Sequence, residues 1–422
     1  MDKDNLILGF DSWVGGVANF ERLHAALAEK GLILELLHLG SWGGDIGRPD
    51  IESYGNMTIR DIRYYRTNNL FDILKKLRPK AVLFLSVDVF AHRAMIRYCK
   101  LLNIPTIHLY HGLVSIQPIH DKVYDINILS QIQFVLKRVP KAFTKIWPLY
   151  IRSLFESQAN FWDWWKFIKD IIYHSMGKYI NVAATDSMTS ACAIYTTADL
   201  VHAGNKYGYN KDSIYIVGNP DLGKFGISKE NLGIKITDKG NPSKKVVYID
   251  TGLIYTGLVF SGEEDFFNHL QNLKNCLKEQ GLKLSIKLHP DHYRTSFPLR
   301  ISKSGIPVVN DDEFLTQLTE SRAAIVEPST AALAPALLGL PLLLVAFNKL
   351  KNQKYGKLLN EYPRSFLLND PTKTLCVLQN IEKKNETDVL NWIYKNSGPL
   401  PSNKMPHRVA TLVYNLISQD NK

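Results

Sequence analysis

Lys287-Leu288-His289-Pro290 and, farther along, Glu327-Pro328-Ser329-Thr330-Ala331-Ala332 decide the reading of this chain. Each closes a short strand-like run, 282–288 and 323–326. Pro290 stops the first strand and sets the direction of its turn. Ser329 and Thr330 open a helix, read over 330–338, whose first-turn N–H groups have no partner within the helix. Both motifs therefore stand at carboxyl ends of strands in one α/β unit, the edge where open doubly wound sheets bind ligands. An imidazole, two hydroxyls and first-turn amides at such an edge suit a phosphate.

Outward from these motifs the same rhythm continues. Strands at 245–249 and 341–345 and helices at 263–279 and 312–319 complete a C-terminal unit, and strands at 5–10, 32–39, 81–87 and 106–110 build a first one. The reading is an N-terminal domain over 1–225, a Gly-, Lys- and Asn-rich linker over 221–243, and a C-terminal domain over 243–405. A last helix within 406–422 is free to pack back on the first domain. From about 117 to 178 the rhythm breaks into a long aromatic segment with Phe134-Val135-Leu136-Lys137-Arg138, Trp147, Tyr150, Phe155 and Phe161-Trp162-Asp163-Trp164-Trp165. Over 137–178 it carries eight Lys or Arg against three Asp or Glu. It reads as a helical insertion, either packed on the N-terminal domain or turned toward an anionic membrane surface.

Composition removes several classes. At 422 residues the chain holds two cores, and no stretch is long and apolar enough for a membrane helix. The start lacks the order of a secretory signal, which predicts a cytoplasmic chain. Four scattered cysteines form no CxxC or Cys/His pattern, against both a disulfide framework and structural zinc. The net charge of +11 favours anionic partners. No motif supports nucleic acid among them.

The His-Pro strand end, the Ser/Thr-opened helix and the Leu338-Gly339-Leu340-Pro341 turn together resemble the donor half of bacterial surface-polysaccharide GT-B enzymes. These are the sialyl- and polysialyltransferases, the capsule Kdo transferases and the glycerol-phosphate polymerases. The resemblance is firm over about 280–346 and weaker at Leu109-Tyr110-His111-Gly112 and Val217-Gly218-Asn219-Pro220. It implies a GT-B type α/β fold, two Rossmann-like doubly wound parallel-sheet domains facing a cleft, with His289 and Ser329 or Thr330 on the nucleotide phosphate. Neighbouring motifs also occur in UDP-sugar 2-epimerases.

Further donor-side candidates are Thr251 and Gly252 in Asp250-Thr251-Gly252-Leu253, with Lys287, Pro290 and Glu327 beside the main motifs. Glycine admits close backbone approach and threonine adds a hydroxyl. In the first unit, Asp11-Ser12-Trp13-Val14-Gly15-Gly16 ends a strand but does not fit GxGxxG, so Gly15 and Gly16 read as an acceptor loop. Single displacement needs a base on this side. Asp11, His111 and Asp88 stand at strand ends, in that order of preference. The comparable His-Gly of the polymerases is catalytic, whereas the sialyltransferases use a carboxylate, so the resemblance leaves the choice open. The only Asp-x-Asp is Asp2-Lys3-Asp4, so no metal and no cofactor beyond the nucleotide-sugar co-substrate is expected. Lys287, Lys224 and His289 are the groups expected to neutralise the departing phosphate. The expected partners are a nucleotide sugar and a glycan or glycolipid acceptor, with peripheral contact at an anionic membrane.

Overall fold

The computed structural model describes residues 5–12, 14–116, 142–175, 186, 188–237, 243–256, 259–381 and 384–419. The 134–138 run, the Asp2-Lys3-Asp4 stretch and Trp13 lie outside them.

The described strands are β1 (Leu6–Asp11), β2 (Ile33–His38), β3 (Ile51–Tyr54), β4 (Met57–Asp61), β5 (Ala81–Phe84), β6 (Thr106–Leu109), β7 (Ala191–Ile194), β8 (Ile214–Ile216), β9 (Lys245–Ile249), β10 (Lys283–Lys287), β11 (Ala323–Val326), β12 (Leu342–Val345) and β13 (Ser365–Leu368). They form an eight-stranded sheet in the order β3-β4-β2-β1-β5-β6-β7-β8 and a five-stranded sheet in the order β10-β9-β11-β12-β13. Every pairing is parallel except β3 with β4. The central strands β1, β5, β6, β7, β11 and β12 are buried at every position, as parallel strands covered on both faces must be.

The sequence reading missed five strands: β3, β4, β7, β8 and β13. The β3–β4 hairpin turns at Gly55, whose φ of 57° suits a residue without Cβ. β3 and β13 are edge strands that keep much of their surface in solvent, so neither shows a buried run. β7 and β8 return to the first sheet after the aromatic insertion, which therefore interrupts the domain between β6 and β7.

One apolar cluster runs through both halves. It joins Ile7, Leu36, Leu109, Leu113 and Ile116 on the first side to Val247, Val326, Leu333, Tyr355 and Leu359 on the second. The last helix, Met405–Gln419, lies against His24–Ala28 and buries Val409 and Val413 in that cluster. Arg408 donates to the Val217 carbonyl at 2.9 Å, and His407 stands 3.2 Å from Glu29. On the opposite face of the first sheet, Trp147, Tyr150, Leu154 and Phe167 of the insertion pack with Phe10, Phe84 and Phe90. Among the described residues the insertion holds two α-helices, Trp147–Glu156 and Phe161–Ser175, the first preceded by the helical turn Ala142–Ile146.

Candidate functional site

Because β10, β9 and β11 are adjacent and parallel, the loops after them share one edge of the second sheet. Two buried carboxylates bind these loops together. Asp250 accepts from the Gly252 amide at 2.8 Å and the His289 amide at 2.9 Å, and lies 3.1 Å from His292 Nε2. Gly252 has φ 75°, and a Cβ there would come within 2.8 Å of His289 Cγ, so the imidazole rests on a bare backbone. His289 is the N-cap of the Pro290–Arg294 turn, its Nδ1 accepting from the Asp291 amide at 3.3 Å. With the amide donating to Nδ1, Nε2 is the ring nitrogen left to donate to an anion. Burial keeps its pKa below the usual histidine value.

Glu327 was expected to face a ligand, and the structure places it beneath the site. It is fully buried, accepting from Tyr248 Oη at 2.6 Å and from Thr251 N and Oγ1 at 2.9 and 2.6 Å. Its role is to hold Thr251, whose hydroxyl is thereby engaged. Burial and the neighbouring Asp250 charge push the Glu327 pKa up to about 8. The folded state thus keeps a proton that the unfolded chain releases near its ordinary value of 4.5. Stability contributed by this proton is full below that value and falls as pH rises toward about 8. Glu327→Gln should flatten that slope in thermal melts across this range, and a slope unchanged by the substitution would remove Glu327 as its source.

Lys287 is a second correction. Its ammonium, buried at 7 % exposure, pairs with Asp311 Oδ1 at 2.7 Å, and Lys224 pairs with Asp311 Oδ2 at 2.6 Å. Both lysines share one carboxylate, Lys287 buried and Lys224 half exposed. Pro290 is exposed at the start of its turn. Ser329 caps the Thr330–Ala332 turn, accepting from the Ala331 amide at 3.3 Å, and the helix Leu333–Leu338 continues it.

The first sheet presents the loops after β1, β5 and β6 side by side. Asp11, ranked first as base from the sequence, is only 3 % exposed: its Oδ1 accepts from the Ser12 amide at 2.7 Å and lies 3.5 Å from His92 Nε2. Gly16 packs on it, since a Cβ there would stand 2.8 Å from Asp11 Oδ2, while Gly15 is exposed. Asp11 thus closes a turn rather than meeting solvent. Asp88 is exposed but held by Lys206 at 2.9 Å and Tyr207 Oη at 3.1 Å. His111 is exposed, with Nδ1 3.0 Å from the Leu85 carbonyl. A carbonyl only accepts, so Nδ1 carries the proton and Nε2 presents its lone pair.

The two edges meet. A Cβ on Gly112 would lie 3.8 Å from Thr330 Cγ2, which places the residue after His111 against the loop after β11. The turn behind it, Val114–Ile116, is tied to both halves: Ser115 N donates to Asp199 Oδ1 at 3.0 Å, and Gly356 N donates to the Ile116 carbonyl at 2.7 Å. A 610 Å³ cleft is lined by Ser12, Val14, Gly15 and Arg48 from the first half and by Arg294 from the second. Gly112, the residue after His111, meets Thr330 across the halves, and His289, Thr251 and Gly252 gather on one edge. Asp250 was quoted in its strand-end motif without a role of its own, and Asp199 went unremarked.

No family model matches this chain, and no curated protein does. Among solved structures, the calicheamicin glycosyltransferase CalG4 aligns over 98 % of both chains at 12 % identity and a TM-score of 0.52. The wall teichoic acid polymerase TagF, a histidine-to-asparagine variant soaked with CDPG, aligns over 100 % of this chain and 90 % of its own at 11 % identity and a TM-score of 0.51. A UDP-GlcNAc 2-epimerase of Methanocaldococcus jannaschii aligns at 11 % identity over 97 % of this chain and 99 % of its own, with a TM-score of 0.45. With two parallel, helix-covered sheets whose strand-end loops meet, the chain has the α/β fold of the GT-B type, two Rossmann-like units with a helical insertion in the first.

Proposed function

We propose that this protein is a glycosyltransferase that moves a sugar from a nucleotide donor to a surface glycan or glycolipid, by single displacement with inversion and without a metal. The geometry that carries the reading is that of two histidines at strand-end loops of the two halves: His289 Nδ1 takes the Asp291 amide and leaves Nε2 to donate, and His111 Nδ1 meets the Leu85 carbonyl and leaves Nε2 to accept. The first suits a phosphate that gains charge as it leaves, the second an acceptor hydroxyl that must lose a proton. The acceptor oxygen attacks the anomeric carbon while the bond from that carbon to the phosphate oxygen breaks. The electron pair leaves with the phosphate, and the hydroxyl proton passes to His111 Nε2. His289 and the amides and hydroxyl at Thr330 meet the leaving charge. The motif resemblance favours a CMP-activated acidic sugar such as Kdo or a sialic-acid relative, acting at the cytoplasmic face of a membrane.

A thermal-shift screen with CMP, UDP and CDP tests the donor site. One nucleotide should raise the melting temperature well beyond the others, and His289→Ala should erase that rise. No shift with any of the three, or a shift that survives His289→Ala, would sink the assignment.

A further inference from the structure

The helix Phe161–Ser175 is apolar on two sides: Phe167 is buried in the core of the first domain, with Trp164 and Ile171 packed beside it. Its carboxylates face inward: Asp163 pairs with Arg97 at 3.2 Å and Asp170 with Arg93 at 2.7 Å. A second apolar face points outward. Phe161, Trp162, Trp165, Ile168 and Ile172 are 72, 73, 56, 49 and 53 % exposed, and Phe155 of the preceding helix is 68 % exposed. At about 100° per residue, the exposed positions of this helix fall within an arc of roughly 120°. Lys169 lies exposed inside that arc. The one further acid of these two helices, Glu156, pairs with Arg152 at 3.0 Å. Every carboxylate of the pair of helices is therefore matched by an arginine, and the charged side chain these helices place on the exposed arc is Lys169.

A surface helix that packs on a core by one face ordinarily carries polar residues on the other. A protein interface of this chemistry would bring paired acids and bases to its rim. Indole and phenyl rings with a lysine among them are instead what a bilayer interface takes up, the rings at headgroup depth and the ammonium group on a lipid phosphate. We infer that this face docks the protein on an anionic lipid surface, with Trp162 and Trp165 as its anchors. The inference is independent of the catalytic reading, since vesicle binding requires neither donor nor acceptor.

Cosedimentation of the full chain with phosphatidylcholine vesicles, with and without phosphatidylglycerol, tests it. Binding should depend on phosphatidylglycerol and weaken with added salt. Tryptophan emission should shift to the blue on binding. Trp162→Ala with Trp165→Ala should lower the partition coefficient by about tenfold or more. Both rings are exposed, so the melting temperature and far-UV spectrum should stay unchanged. Equal partitioning of wild type and double variant would overturn the inference. So would a wild-type dimer in sedimentation equilibrium that the double variant converts to monomer without any vesicle binding.

Discussion

His111→Ala is expected to lower turnover by about 10²- to 10⁴-fold, the usual contribution of a positioned proton acceptor. The nucleotide-induced thermal shift should remain, because the phosphate-side groups belong to the other half. The geometry behind this is specific. The Leu85 carbonyl at 3.0 Å fixes the Nδ1–H tautomer, and the following glycine lies against Thr330 of the donor-side edge. His111→Asn can keep the bond to Leu85 but has no lone pair basic enough to take the proton, so it should fail nearly as badly. Asp11→Asn should instead cost stability before rate, since its carboxylate is committed to the Ser12 amide. Turnover that survives His111→Ala but disappears in a folded Asp11→Asn protein would return the role of base to the carboxylate.

Arg93→Ala is expected to cost about 3–5 kcal/mol, the penalty for leaving buried charges without their partner. The guanidinium is 2 % exposed and donates to Asp170 at 2.7 Å, to Asp186 at 3.0 Å and to Tyr150 Oη at 2.8 Å. Its plane also lies over the Phe90 and Tyr150 rings. Burial by itself would raise the Asp186 pKa; the Arg93 charge prevails and holds it below the usual carboxylate value. A depressed carboxylate stabilises the fold above its unfolded value of 3.8, and that contribution is lost as pH falls through the lower folded value. Docking of the insertion should therefore fail in acid in the wild type and at neutral pH in Arg93→Ala. The loss should be local, because these partners join the helix Phe90–Leu101 to the insertion and leave the second sheet untouched. Limited proteolysis within 142–175 at neutral pH reads it directly, alongside a nucleotide shift that persists. A variant as resistant as wild type would show that the cluster does not hold the insertion.

Periodicity carried the central architecture. Runs such as Leu6–Asp11 and Leu342–Val345 are buried on both faces, and that burial writes itself into consecutive residues. Short or half-exposed strands, such as Ile214–Ile216 and Ile51–Tyr54, leave no such trace. The strand-end motifs were legible because Pro290, Gly252 and Ser329 each do a local job in a turn. Side-chain commitments were not. Lys287 looks available in sequence and is taken by Asp311, and Glu327 looks like a ligand group and is taken by Thr251 and Tyr248.

The sequence by itself determined two units of parallel strands, the loops at which they could bind an anion, and an aromatic, basic segment foreign to that rhythm. Only the tertiary structure decided that His111 rather than Asp11 is exposed beside the other half, and that Trp162 and Trp165 face out while Asp163 and Asp170 face in. The reason is one of range. Burial period and turn chemistry act between neighbours a few residues apart, whereas the partner of a charge is chosen among groups that meet only after the chain has closed loops of many tens of residues.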